Sequence, residues 1–258
     1  MRETLEALAD GDLTPAQAEA RLRGYATTEA GRFDAARERR RGIPEGILAE
    51  GKTPAEVAAM ADAAVDSTGR ALVTRADDET AEQVRAYLDQ EHPDATVDRD
   101  ARARTVVAHA ADYDSPQVDA DVVVVSGGTA DAPAAREAAV VAREGGARVE
   151  LVEDVGVANL TRVLDEVETL READVVVAVA GREAALPPVV AGLVDAPVIG
   201  VPTSTGYGVG GDGLAALYGL LQSCTVLSVV NVDAGFVAGT QAALIARGVG
   251  GRRDARDT

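Results

Sequence analysis

Asp121-Val122-Val123-Val124-Val125-Ser126-Gly127-Gly128-Thr129-Ala130-Asp131 runs straight into Ala132-Pro133 and a helical stretch through Arg136 and Glu137. A continuous run of β-branched apolar residues is the pattern of a parallel strand covered on both faces. The two glycines let backbone approach a ligand closely, Ser126 and Thr129 add hydroxyl donors, and the following helix presents a partially positive N-terminus. These parts can make a phosphate cradle, or a tight strand-to-helix turn with no ligand. The loop is neither a Walker loop, since no Gly-Lys-Ser/Thr follows it, nor the Gly-x-Gly-x-x-Gly of dinucleotide-binding folds.

Outward from this strand the pattern repeats. Further strands are expected at 147–151, 174–179, 197–201 and about 226–232, with helices at about 133–144, 157–172, 185–193, 211–222 and 235–247. Such βα alternation predicts a mostly parallel sheet with helices on both faces. Ligands of these sheets bind beyond the carboxyl ends of the strands. Ser126, Asp154, Ala180-Gly181-Arg182-Glu183, Pro202-Thr203-Ser204 and Asn231-Val232-Asp233 all fall at those ends.

Upstream of Tyr113-Asp-Ser-Pro-Gln117, which reads as a linker, the chain is charged and helical. Helices are expected over Leu5–Ala9, from Thr14-Pro15 to about Tyr25, over about Asp34–Arg41 and from Thr53-Pro54 toward Ser67. Each Thr-Pro pair combines an N-cap with proline at the first helical position. Strands at Ala71–Thr74 and Thr105–Ala108 flank a helix over Glu79–Gln90. The expected division is an N-terminal α/β domain over 1–115, an α/β three-layer domain over 116–250 and a disordered tail over 251–258.

With 43 acidic and 25 basic residues among 258, the net charge is −18, and Lys52 is the single lysine. An acidic, lysine-poor surface fits adaptation to high salt and disfavours nucleic acid and anionic membranes as partners. One cysteine allows no intrachain disulfide, which fits a reducing cytoplasm. No apolar signal region and no membrane-length apolar stretch are present, so a cytoplasmic location is expected.

Single residues carry alternatives. Thr203-Ser-Thr-Gly206-Tyr207-Gly208-Val-Gly-Gly-Asp-Gly213 reads as a flexible connection or as a lid over a ligand. Glu183 lies just past a buried strand, where desolvation would raise its pKa and suit it to proton transfer; it could equally complement a helix dipole. Cys224 alone reads as a small buried hydrophobe. His92 and His109 fall outside the second domain, and no spacing suggests zinc. The run Arg37-Glu-Arg39-Arg40-Arg41 is either a solvated helix face or a phosphate contact.

Taken together, Val125–Pro133, Asp154-Val-Gly156-Val-Ala158, Ala185-Leu-Pro187-Pro-Val-Val-Ala191-Gly192, Val201–Gly208, Ser223-Cys224 and Val230-Asn231-Val-Asp233-Ala-Gly235-Phe236 resemble the LarB family. Asp34–Glu45, Gly51-Lys52-Thr53 and Thr74-Arg75 resemble its N-terminal domain. The resemblance covers nearly the whole chain before Gly251. It implies a flavodoxin-like catalytic domain similar to aminoimidazole ribonucleotide (AIR) carboxylase, assembled as a homo-octamer with active sites between subunits.

The implied reaction adds carbon dioxide to the pyridinium ring of nicotinic acid adenine dinucleotide and hydrolyses its phosphoanhydride. The products would be pyridinium-3,5-biscarboxylic acid mononucleotide and AMP, the first step toward the nickel-pincer nucleotide of lactate racemase. A divalent metal, magnesium, is expected to assist. The cysteine that adds to the ring matches Cys224, and the carboxylate that removes the ring proton matches Glu183. Ser126, Gly127, Gly128, Thr129 and Asp131 would hold phosphate and ribose, and the Thr203–Gly208 loop, with Ser204, Gly206 and Tyr207, would cover the ring. Asp154, Asn231 and Asp233 complete the implied binding set. One departure stands out: Asn159-Leu160-Thr161-Arg162 carries Thr161 where the family has histidine.

Overall fold

A computed structural model of the protein describes residues 1–206 and 208–257, with side chains as far as Arg253. Its contacts divide the chain into two units, residues 1–114 and 115–258.

The first unit opens with α1 (Arg2–Asp10), α2 (Pro15–Arg23), the hairpin β1 (Ala26–Thr28) and β2 (Gly31–Phe33), and the short α3 (Arg37–Arg41). There follow β3 (Ile47–Leu48), α4 (Pro54–Thr68), β4 (Arg70–Thr74), α5 (Asp78–Glu91), β5 (Thr96–Asp100) and β6 (Thr105–His109). The sheet order is β3-β4-β6-β5, with β3 parallel to β4 and the other pairs antiparallel. Both Thr-Pro starts form as expected: Thr14 and Thr53 accept from the amides of Gln17 and Glu56, whose side chains reach back to the cap amides. The core joins Val57, Ala61 and Val65 of α4 to Val73 of β4 and to Val84 and Leu88 of α5.

The arginine run is drawn into local ion pairs. Arg40 makes a bidentate contact with Asp34 at 2.9 and 2.6 Å, and Arg37 lies 3.1 Å from Glu45. Glu38 reaches the buried Arg70 at 2.7 Å, and that guanidinium also lies 5.2 Å over the Tyr113 ring. Burial pushes the Glu45 carboxyl above its usual range, against the opposing pull of Arg37.

The second unit begins with β7 (Asp121–Ser126), a single 3₁₀ turn (Thr129–Asp131) and α6 (Ala132–Glu144). It continues through β8 (Arg148–Val152), α7 (Leu160–Asp165), α8 (Val167–Glu172), β9 (Val175–Ala180), α9 (Leu186–Ala191) and β10 (Val198–Pro202). The last elements are α10 (Leu214–Leu221), β11 (Ser228–Val229) and α11 (Gly235–Asp257). All five strands are parallel, in the order β11-β10-β9-β7-β8. The chain therefore moves from β7 to β8 on one side and returns to lay β9 on the other. That reversal is a topological switch point, and a crevice opens there beyond the strand ends.

Strand periodicity sorts the valines between two cores. Val122 and Val124 pack with Ala135, Ala138 and Ala142 of α6 and with Ala238 and Ala242 of α11. Val123 and Val125 face the other way, toward Val163, Leu170, Leu186 and Leu220. A continuous apolar run is needed because both faces are covered. At the solvent edge, two hydrogen bonds from Arg148 hold the Asp121 carboxyl below its ordinary range.

The small residues of α11 serve a contact within the unit. A β-carbon on Gly239 would lie 2.4 Å from the Ala138 carbonyl oxygen and 2.8 Å from Val141 Cβ, so α6 and α11 meet nearly backbone to backbone. The buried Glu137 of α6 accepts the Phe236 amide at 2.9 Å in the first turn of α11. In place of a disordered segment after residue 250, α11 continues to Asp257. The reason is local: Arg253 donates to both carboxylate oxygens of Asp174 at 2.9 and 2.7 Å and to the Asp119 carbonyl at 2.7 Å.

Candidate functional site

The loops after β7, β8 and β9 enclose an open cavity of about 330 Å³ at the switch point. Its wall includes Gly127, Gly128, Asp131, Gly156, Gly181, Arg182, Glu183 and Thr205. A β-carbon on Gly181 would sit 2.7 Å from Thr203 Oγ1 and 2.9 Å from Thr205 Oγ1. The loops after β9 and β10 can thus touch only because residue 181 has no side chain.

Asp131 is the centre of the arrangement. Its carboxylate is buried and accepts from Gly128 N at 2.8 Å, Thr203 Oγ1 at 2.6 Å and Thr205 Oγ1 at 3.1 Å. The group joins the glycine loop after β7 to the long loop after β10. The Gly127 amide donates to the Val179 carbonyl at 2.9 Å. Both glycine amides are therefore committed inside the protein, and the glycines supply close approach in place of anion donors. A ligand anion here meets the start of α6, whose dipole favours negative charge.

Ser126 is fully buried, and its Oγ accepts from the Asp154 amide at 3.4 Å. Thr129 stands in the 3₁₀ turn between the glycines and α6. Asp154 takes a left-handed backbone, φ 61°, and its carboxylate pairs with Arg162 at 2.7 Å. Thr161 donates its hydroxyl to Asn159 Oδ1 at 2.8 Å, so this side chain serves the helix cap. Ser204 N donates to Asp233 Oδ1 at 2.9 Å, which fastens the loop after β10 to the end of β11, while Asn231 accepts from the next amide at 2.8 Å. Gly206 and Gly208 continue the loop after β10, and Tyr207 lies outside the described residues.

Glu183 reaches the cavity wall, as its position past β9 predicts, but its side chain is 71% exposed. The desolvation expected from that position is not supplied within this chain. Cys224 is free and exposed in the bend between α10 and β11, which overturns its reading as a buried hydrophobe. It is absent from the cavity wall. Arg182 and Thr205 line the cavity without having been singled out in the sequence. Thr205 lies two residues past Thr203 in the turn after β10, and both hydroxyls reach the same Asp131 oxygen.

Backbone strain concentrates at these loops. Asp154, Arg182, Ala184 and Asp233 all have φ between 50 and 61° and all follow strand ends. A non-glycine residue in this region costs about 1–2 kcal/mol and persists where surrounding contacts over-determine it. Among the described residues no three His, Cys, Asp or Glu side chains group as a metal site. No helix among them is long and apolar enough to cross a membrane.

Asp131→Asn tests the loop tie. Asparagine has one acceptor oxygen where the carboxylate has two, so either the Gly128 amide or the Thr203 and Thr205 hydroxyls lose their acceptor, at a cost of about 1–3 kcal/mol. The expected result is a lower melting temperature together with weaker ligand binding; unchanged values for both would remove Asp131 from its organising role.

Residues 121–256, which hold the parallel sheet and its switch-point cavity, match the family model described as AIR carboxylase, a carboxylase-type domain. Residues 25–109 match the model described as LarB/PurE-like N-terminal domain. With both domains in this order, the chain belongs to the LarB family. It is similar to an uncharacterized protein of Methanocaldococcus jannaschii, with 33% identity over 255 residues, covering 96% of this chain and 97% of the relative.

Proposed function

We propose that the protein carboxylates the pyridinium ring of nicotinic acid adenine dinucleotide and cleaves its phosphoanhydride with water, releasing AMP and pyridinium-3,5-biscarboxylic acid mononucleotide. The observation that carries this reading is the pairing, in one LarB-family chain, of an AIR carboxylase domain with a solvent-exposed thiol, Cys224. A pyridinium carbon is not nucleophilic, so the ring must first be dearomatised. Addition of the Cys224 thiolate forms a carbon–sulfur bond and leaves an enamine, whose adjacent carbon attacks carbon dioxide. Glu183 then takes the proton from the carboxylated carbon, the thiolate leaves, and aromaticity returns.

Assembly belongs to the proposal. Leu214, Tyr218 and Leu221 stand exposed on one face of α10, and Val226 is exposed just beyond Cys224. A second copy seated on this apolar face would bring the thiol to a neighbour's cavity, a homo-oligomer of the octameric kind. Magnesium enters as a companion of the substrate phosphates, and no step above uses an ion held by the chain.

A second reading, a purine-pathway carboxylase or mutase, is favoured by the AIR carboxylase match alone and leaves Cys224 without work. Thr161, turned toward Asn159, supports a third, a nucleotide-binding relative without turnover. The deciding assay supplies the dinucleotide, bicarbonate and magnesium in high salt and follows products by mass. A dicarboxylated mononucleotide with AMP supports the proposal. Binding without product points to the third reading, and neither binding nor product to the purine substrate.

A further inference from the structure

We propose that Arg182 is a specificity residue that reads the carboxylate on the substrate's pyridine ring and so separates the acid dinucleotide from its carboxamide counterpart; this rests on the function proposed above. Among the described residues that line the cavity, Arg182 is the single cation, beside the acids Asp131 and Glu183. The nicotinate half of the ligand of that reading is anionic at both ends, with the ring carboxylate at one and the phosphate at the other. The phosphate end has the start of α6 to meet, so the cation at the other wall is left to the ring.

Position and backbone both support this. Arg182 precedes Glu183, the group assigned to the ring proton, and its Nε lies 3.9 Å from that carboxylate. The side chains are 59% and 71% exposed, so both groups stand at the open wall of the cavity. The residue holds a left-handed backbone with φ 52°. Gly206 of the loop after β10 lies against it, since a β-carbon there would be 3.1 Å from Arg182 N. The main chain is thus fixed from above. A planar guanidinium fork matches a carboxylate in two parallel hydrogen bonds, whereas a carboxamide offers one acceptor and a donor that opposes it.

The test measures binding by calorimetry and turnover by product mass for nicotinic acid and nicotinamide adenine dinucleotides. The proteins are the wild type, Arg182→Met, Arg182→Lys and Arg182→Gly. The wild type should prefer the acid, and Arg182→Met should weaken the acid about 10- to 100-fold while leaving the amide within a few fold. Arg182→Lys should keep part of the preference. Arg182→Gly should melt no lower than wild type, because glycine accepts the left-handed backbone, yet lose the preference. Equal weakening of both ligands would make Arg182 a phosphate contact and overturn the proposal. So would a fall in kcat with the preference intact, which would mean that Arg182 acts through Glu183. A wild type that discriminates without turning over would sink the carboxylase reading and leave Arg182 standing; one that binds neither ligand would sink both.

Discussion

Cys224→Ser should abolish carboxylation, lowering turnover of nicotinic acid adenine dinucleotide by at least about 10³-fold, the scale seen when a covalent nucleophile is removed. A serine hydroxyl is far less nucleophilic near neutral pH, so the ring stays aromatic and carbon dioxide finds no carbanion equivalent. Because Cys224 is exposed, the variant should keep its melting temperature, with stability changed by no more than about 0.5 kcal/mol. Affinity for the dinucleotide should stay within a few fold, since the thiol is absent from the cavity wall of its own chain. Full turnover by the serine variant would end the thiolate mechanism and return attention to the purine reading.

The second large effect concerns stability. Gly239→Val should cost about 3 kcal/mol, because its side chain must enter the space held by the Ala138 carbonyl oxygen, 2.4 Å from where the β-carbon would stand. That oxygen belongs to helix backbone and cannot turn away. At about 2–4 °C per kcal/mol for a unit of this size, melting should fall by about 6–12 °C. Gly251 lies in the same helix with nothing within 4 Å of its position, so Gly251→Ala should gain up to about 1 kcal/mol from helix propensity. Equal responses at the two sites would mean that α6 and α11 are not in close contact.

The second unit was the more legible part of the chain. Its valine runs, unbroken by polar residues, announce strands covered on both faces, and the strand over 121–126 forms with those bounds. The helix expected over 157–172 divides at Glu166 into α7 and α8. In the first unit, β5 escaped notice because Thr96-Val-Asp-Arg-Asp100 is a largely exposed polar edge, and β3 because two residues give no period. The glycine loop was legible as a place, less so in its hydrogen bonds: the amides of Gly127 and Gly128 close on Val179 and Asp131, partners far along the chain or across a turn. The small residues of α11 permit close helix packing, and only the fold names the partner, which is α6. Cys224 was misjudged by residue type alone, since exposure depends on how the chain leaves α10.

Asp131 binds the loops after β7 and β10 through one carboxylate. Released from Oδ1, Thr203 and Thr205 would leave the carboxylate held by the Gly128 amide at Oδ2, and the turn that precedes α6 would slacken with them. The cover of the cavity and its floor are therefore parts of one cooperative opening unit. In hydrogen exchange the Gly128 amide should act as a clock for motion of a segment more than seventy residues away. Under the proposed function, admission of the ligand and readiness of its seat would be timed by the same event.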